Sequence, residues 1–205
     1  MTTDERRARV ASALRALGHD FVDHEVDDDE LTSMADEVEA LLARVRRGAR
    51  RPRRAGVESD TVEDVNALHL SLAHDALVGG PGNPMGLGAR HWYDGDEAVM
   101  EVEIGRAFEG APGRGHGGVL AMLVDETMGY VLAHHGIFAL TGWLRIDYRD
   151  AAPLGVPVRA RAHLASREGR KLTIEARVES GSTLVAEAQA LFIAVNPRRF
   201  GTSDA

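Results

Sequence analysis

Hydrophobic positions follow two regimes along this chain. In the first part they recur at helical spacing. Residues 4–17 set Val10, Ala13, Leu14 and Leu17 on one face, and Gly18 reads as the stop. The acidic stretch 20–30 reads as loop. A second helix is expected over 33–47, with Ser33 as N-cap and Asp36 at the capping-box position. Its stripe is Val38, Leu41, Leu42 and Val45, and Gly48 follows as its stop. A third short helix is expected within 61–76, and residues 79–88, GGPGNPMGLG, are rich in turn formers.

Beyond that turn the pattern changes. Over 98–105, Val99, Glu101 and Glu103 alternate against Met100, Val102 and Ile104, which is strand periodicity. A glycine-rich turn then runs into a helix that is apolar almost all round and stops at Gly136. Four strands follow with no helix between them, near 139–149, 156–166, 171–180 and 183–195, with Gly169 and Gly181 at hairpin turns. One long apolar helix before an antiparallel meander predicts an α+β domain. About five strands curling around that helix would explain why it lacks a broad polar face.

Composition narrows the picture. The 205 residues suit one domain with an extension, divided here as 1–75 (helical extension and linker) and 76–200 (the α+β domain), and a 44% hydrophobic content supports a real core. There is no cysteine, which excludes disulfides, thiolate catalysis and cysteine–zinc sites. A formal net charge of −8 argues against general nucleic-acid affinity. No apolar run is long enough for a membrane span, and MTTDERRARV has no apolar signal core behind its charges, so a cytoplasmic protein is expected. The arginine-rich segment 49–60 reads as a solvated linker, with an anion-binding arm as the sharper alternative.

The candidate chemistry lies in residues 113–135, GRGHGGVLAMLVDETMGYVLAHH. Gly113, Gly115 and Gly118 satisfy the dinucleotide-binding G-x-G-x-x-G pattern, but continuous strand follows where alternating strands and helices would be needed. Free N–H groups at a helix start welcome an oxyanion. Asp125 and Glu126 are carboxylates in an apolar helix, where burial is costly without a reason. Gly117 and Asp125 are eight residues apart, about 12 Å along a helix axis. One small reacting group cannot touch both ends of that span. If both act on it, a second subunit must supply one of them.

The segment resembles the hotdog-fold acyl-CoA thioesterases, in the PaaI-like branch. His116-Gly117-Gly118 matches their HGG motif, Asp125 stands where that family keeps its catalytic acid, and Thr141 stands where some members place a water-holding hydroxyl. Residues 80–87 resemble a turn that precedes the first strand in a related subset, although the cysteine often found there is missing. The resemblance covers residues 79–195. It implies an antiparallel sheet wrapped around a long central helix, with active sites at the interface of a homodimer or homotetramer. It also implies hydrolysis of acyl-CoA (or acyl-carrier-protein) thioesters without a cofactor. The Gly117 N–H would polarise the carbonyl, and Asp125 of the other subunit would act as general base or nucleophile. Thr141 would orient water, while His116 would touch the thioester or brace the turn.

Plainer alternatives stand beside these roles. Asp125 could be a surface residue and Thr141 an ordinary strand residue. Glu126, about 100° around the helix from Asp125, reads as structural or interfacial. His134 and His135 suit a helix C-terminus. His69 and His74 are one position off a same-face pair for a metal, and no metal site is expected. Gly118 belongs to the binding turn. Arg149, Arg167, Arg170 and Lys171, at strand ends or hairpins, are candidates for the CoA phosphates, with an ordinary charged hairpin as the alternative. Pro153 reads as structural. Two other functions remain open: a hotdog hydratase or dehydratase pairing His116 with Glu126, and a non-catalytic acyl-CoA-binding module.

Overall fold

A computed structural model describes residues 1–51 and 73–196. Two helices come first, α1 (Thr3–Asp23) and α2 (Asp28–Arg46). Thr2 caps α1 in a reciprocal capping box with Glu5. The helix passes the expected stop at Gly18, which is not among the glycines of positive φ and so is an interior helical residue rather than a C-cap. The reason is tertiary. Beyond Gly18, the His19 ring meets Phe108 edge-on, its Nδ1 accepts from the Ala107 N–H at 3.1 Å, and Asp23 pairs with Arg106 at 2.9 Å. Only residues 24–27 of the acidic run 20–30 are therefore loop. The run ends one helix and starts the next, where Asp27 rather than Ser33 is the N-cap and accepts from the Glu30 N–H at 2.9 Å. Asp28, Asp29 and Glu30 suit the positive end of the α2 dipole. The third helix expected within 61–76 lies outside the described residues except for Ala73, which is helical, and His74, Asp75 and Ala76, which follow it as turn and coil. The arginine-rich 49–60 segment also lies outside them, except for Ala49, Arg50 and Arg51.

The remaining elements are β1 (Arg90–Asp94), β2 (Glu97–Glu103), a 3-10 turn at Arg106–Phe108, α3 (Gly117–His134), β3 (Ala139–Tyr148), β4 (Pro157–Glu168), β5 (Lys171–Ser180) and β6 (Thr183–Ala194). Strands β2 to β6 and α3 stand where the sequence places them. Strand β1 has no such signal: its RHWYD is mostly exposed and shows no alternation, and it joins β2 across Gly95 at φ +62°. The six strands form one sheet of order β1-β2-β4-β5-β6-β3, antiparallel throughout.

Helix α3 lies against this sheet and contributes Val119, Leu120, Leu123, Val124, Thr127, Met128, Val131 and Leu132 to the core. Opposite them stand Ala160, Ala162, Ala186, Ala188 and Ala190 among larger residues such as Ile174 and Phe192. Those small side chains let a bulky helix seat closely against the strands. No residue from Val119 to Ala133 is exposed. His135 caps the C-terminus of α3, and Gly136, at φ +62°, ends it as expected. No described helix is long and apolar enough to cross a membrane.

Candidate active site

The turn before α3 is held from three sides. The Gly110 N–H donates to Arg114 O at 2.8 Å, Gly115 N–H to Ala152 O at 2.8 Å and His116 N–H to Phe108 O at 2.9 Å. His116 is the N-cap: its Nδ1 accepts from the Gly118 N–H at 2.9 Å, so that nitrogen carries no proton. The imidazole therefore braces the turn. The glycines are there because atoms come close. A Cβ on Gly117 would lie 3.2 Å from the Tyr148 hydroxyl oxygen, one on Gly115 3.0 Å from Ile104, and one on Gly118 3.0 Å from His116 Nδ1. Tyr148 donates to the Gly117 carbonyl at 2.8 Å. Among the described residues the Gly117 N–H has no acceptor, as expected for a first-turn donor. It borders an open groove of about 570 Å³ lined by Glu109, Arg114, His116, Leu120, Tyr148 and Asp150.

Two turns along α3, Asp125 is half-buried and accepts from the Thr141 hydroxyl at 2.9 Å. Thr141 lies at the start of β3, just before a bulge between Thr141 and Trp143. Residues 141 and 148 are seven apart and would face opposite sides of a regular strand. The bulge adds one residue, so Thr141 and Tyr148 both face α3, opposite Phe192 and Ala186 of β6. One strand thus holds the helix at both ends of the candidate site.

Glu126 has a separate task. Its two carboxylate oxygens accept from the Val78 N–H at 2.8 Å and the Gly79 N–H at 2.7 Å. Burial pushes its carboxyl above the ordinary value. The two N–H bonds oppose that shift, and the charge of Asp125 adds to it. A carboxylate committed to the backbone in this way is not free to pair with His116, which removes the basis of the hydratase alternative.

The four expected phosphate-binding cations do not lie together. Arg167, Arg170 and Lys171 sit at the β4–β5 hairpin, where Lys171 is opposite Ile193 and Ile193 opposite Leu140. That is the Thr141–Asp125 end of the sheet. Arg170 Nε donates to Ala194 O at 2.9 Å, and Arg167 Nε to Gly169 O at 3.3 Å. Arg149 lies beyond the other end of β3, with its guanidinium on Glu187 at 2.8 and 2.9 Å. Pro153 bridges to Arg114 beside the turn. His134 lies against Tyr93, and His74 bonds Asp75 at 2.9 Å, while His69 is outside the described residues. Tyr148 is the site residue that sequence reasoning missed.

Comparison with known proteins bears on the fold that carries this site. The Thioesterase superfamily model matches residues 113–187. Acyl-coenzyme A thioesterase THEM4 of Mus musculus is 37% identical over 103 residues, covering 49% of this chain and 44% of that protein. The chain thus spans under half the length of the curated relatives it matches. A thioesterase superfamily protein of known crystal structure superposes with a TM-score of 0.77 at 21% identity, over 91% of this chain and 90% of the other. A mutant of the phenylacetic acid degradation protein PaaI from Thermus thermophilus gives a TM-score of 0.50 at 27% identity, over 53% of this chain and 95% of its own. A helix that opens on His-Gly-Gly and lies in an antiparallel sheet, together with these matches, gives the chain the hotdog fold, with a segment at residues 113–187 that is similar to the Thioesterase superfamily.

Proposed function

We propose that this protein hydrolyses acyl-CoA thioesters to free acid and CoA. The observation that carries the reading is the pairing of a carboxylate, Asp125 held by Thr141, with an unsatisfied helix-start N–H at Gly117. As general base, Asp125 takes a proton from water whose oxygen attacks the thioester carbon. The carbonyl oxygen gains charge facing the Gly117 N–H. Collapse breaks the C–S bond, and the departing sulfur takes the proton back from Asp125. As nucleophile, Asp125 would instead attack the thioester carbon and expel CoA as its thiolate, leaving a mixed anhydride that water opens, with a proton of that water passing to the sulfur. Solvent ¹⁸O found in Asp125 after one turnover selects this second route.

The two groups are about 12 Å apart along one helix, so each site draws on two copies of the chain. Strand β3 suits that contact. It is a sheet edge whose Leu140, Trp143 and Tyr148 are exposed. In a homodimer, or a tetramer built from it, Asp125 and Thr141 of one copy would face the turn of the other. Arg167, Arg170 and Lys171 lie at the Asp125 end and serve the CoA phosphates there. Arg149 would serve the opposite site. Residues 1–75 form an extension to the domain at 76–200, and the setting is cytoplasmic.

An acyl-CoA panel with a thiol reagent tests hydrolysis. Asp125→Asn is expected to lower kcat by about 10²–10⁴-fold while ligand binding survives. Full activity in that variant overturns the assignment. Mixed with Gly117→Ala, whose new Cβ presses on Tyr148, the Asn variant should regain turnover through hybrid dimers. No recovery, with subunit exchange confirmed, rules out shared sites.

A further inference from the structure

Helix α2 carries a pattern that the thioesterase reading does not use. Leu31, Met34, Val38, Leu41 and Val45 are spaced by three, four, three and four residues, the 3.5-residue period of a coiled-coil seam. None is buried: Val38 is 50% exposed, Leu41 39% and Val45 68%. Among the described elements, none shares a packed interface with α2. The helix holds six acidic residues and two arginines, a balance that disfavours an anionic lipid surface.

The charges are also ordered along the helix. Asp28, Asp29, Glu30, Asp36, Glu37 and Glu39 fill the first part, and Arg44, Arg46 and the C-cap Arg47 close it. Such a helix complements itself only when reversed. With Leu31, Val38 and Val45 at a and Met34 and Leu41 at d, an antiparallel pairing forms four closed layers. Met34 meets the partner's Val45, Val38 the partner's Leu41, and the same two layers repeat by symmetry. In that register the flanking g positions place Glu37 against the partner's Arg44 twice, and the e positions place Ala35 against the partner's Leu42. A parallel pair would instead set Glu37 beside the partner's Leu42 and crowd the acidic ends together.

We propose that α2 pairs antiparallel with α2 of a second copy of this chain. The pairing is isologous and closes on itself. Four layers are too few to hold two helices together unaided. The pairing therefore adds to another contact between copies, where effective concentration favours it. It does not depend on the catalytic reading.

Because the full chain has no cysteine, disulfide trapping is clean. Val38→Cys and Leu41→Cys variants, mixed under mild oxidation, should cross-link through the Val38–Leu41 layer. Each alone should cross-link at least about tenfold more slowly, since like positions are offset by about 4.5 Å along the axis. Equal rates for single and mixed variants overturn the register, and no cross-link in any combination overturns the pairing. If the failed variants co-sediment with phosphatidylglycerol vesicles, the stripe belongs to a lipid surface instead. By sedimentation, Glu37→Arg and Arg44→Glu should each weaken self-association by roughly tenfold, and the double variant should restore it. Wild-type association in all three also overturns the proposal. The melting of the α+β domain serves as the control for folding.

Discussion

Helices α2 and α3 are nearly equal in length, 19 and 18 residues, and both are rich in apolar side chains. They differ in everything that tertiary structure adds. Eight residues of α3 are buried, and its two carboxylates are each bonded to another element. In α2 no residue is buried, and the helix rests on its cap, its dipole and its propensity. A narrow stripe at 3.5-residue spacing and an apolar surface all round are thus different statements. The second requires walls that the same chain builds. The first requires only a matching stripe from elsewhere.

This contrast can be broken by substitution. The largest stability effect is expected in the α3 core, where Leu123→Ala should cost about 2–5 kcal/mol through lost transfer energy and a cavity, measured by urea unfolding. A cost below about 1 kcal/mol would mean that the helix is not walled in as described. Next comes Glu126→Gln. Its amide nitrogen would face one of two N–H donors and leave it unsatisfied, a cost of about 1–3 kcal/mol. The pH dependence sharpens the test. Because burial raises the folded-state pKa of Glu126, its protonated form is favoured by folding. That contribution is full below the ordinary carboxylate value and is lost as pH rises through the raised one. The wild type should therefore lose its margin over the Gln variant as pH rises, and a margin that widens would reverse the assignment.

Smaller effects belong to the extension. Gly18 sits inside α1, and a methyl group added there would meet nothing within 4 Å, so Gly18→Ala should stabilise α1 by up to about 1 kcal/mol. Hydrogen exchange along residues 3–23 measures that gain. Destabilisation would mean that Gly18 is a helix stop after all. Smallest is Leu41→Ala, which at dilutions where α2 stands alone should change unfolding by no more than about 0.5 kcal/mol. Comparable costs for Leu41→Ala and Leu123→Ala would erase the difference between the two helices.

What is legible in the sequence follows the same division. Strands β3 to β6 are legible because each is long, patterned and bounded by glycines, and Gly136, Gly169 and Gly181 do take positive φ. Gly18 carries the same letter without the same role. The turn of α1 beyond it is held by Phe108 and Arg106, more than eighty residues away, which no local window contains. His116, Gly117, Asp125 and Thr141 are legible as a motif. Tyr148 is not, because alternation counted from Thr141 puts it on the wrong face until the bulge is known. The Glu126 anchorage joins residues 47 and 48 positions apart, so only the fold could reveal it.

That anchorage has a mechanical consequence. A helix set among smooth aliphatic side chains meets little resistance to rolling about its own axis, since dispersion contacts have no preferred direction. Hydrogen bonds do. Asp125 and Glu126 project about 100° apart around the axis. Thr141 holds the first from β3, and Val78 and Gly79 hold the second from the segment leading into β1, at the opposite end of the sheet order. Two guys set at a wide angle fix a mast against rotation in both senses. A roll that swung Asp125 away from Thr141 would also have to pull Glu126 off two amides. The segment ahead of β1 thereby sets the aim of the neighbouring carboxylate.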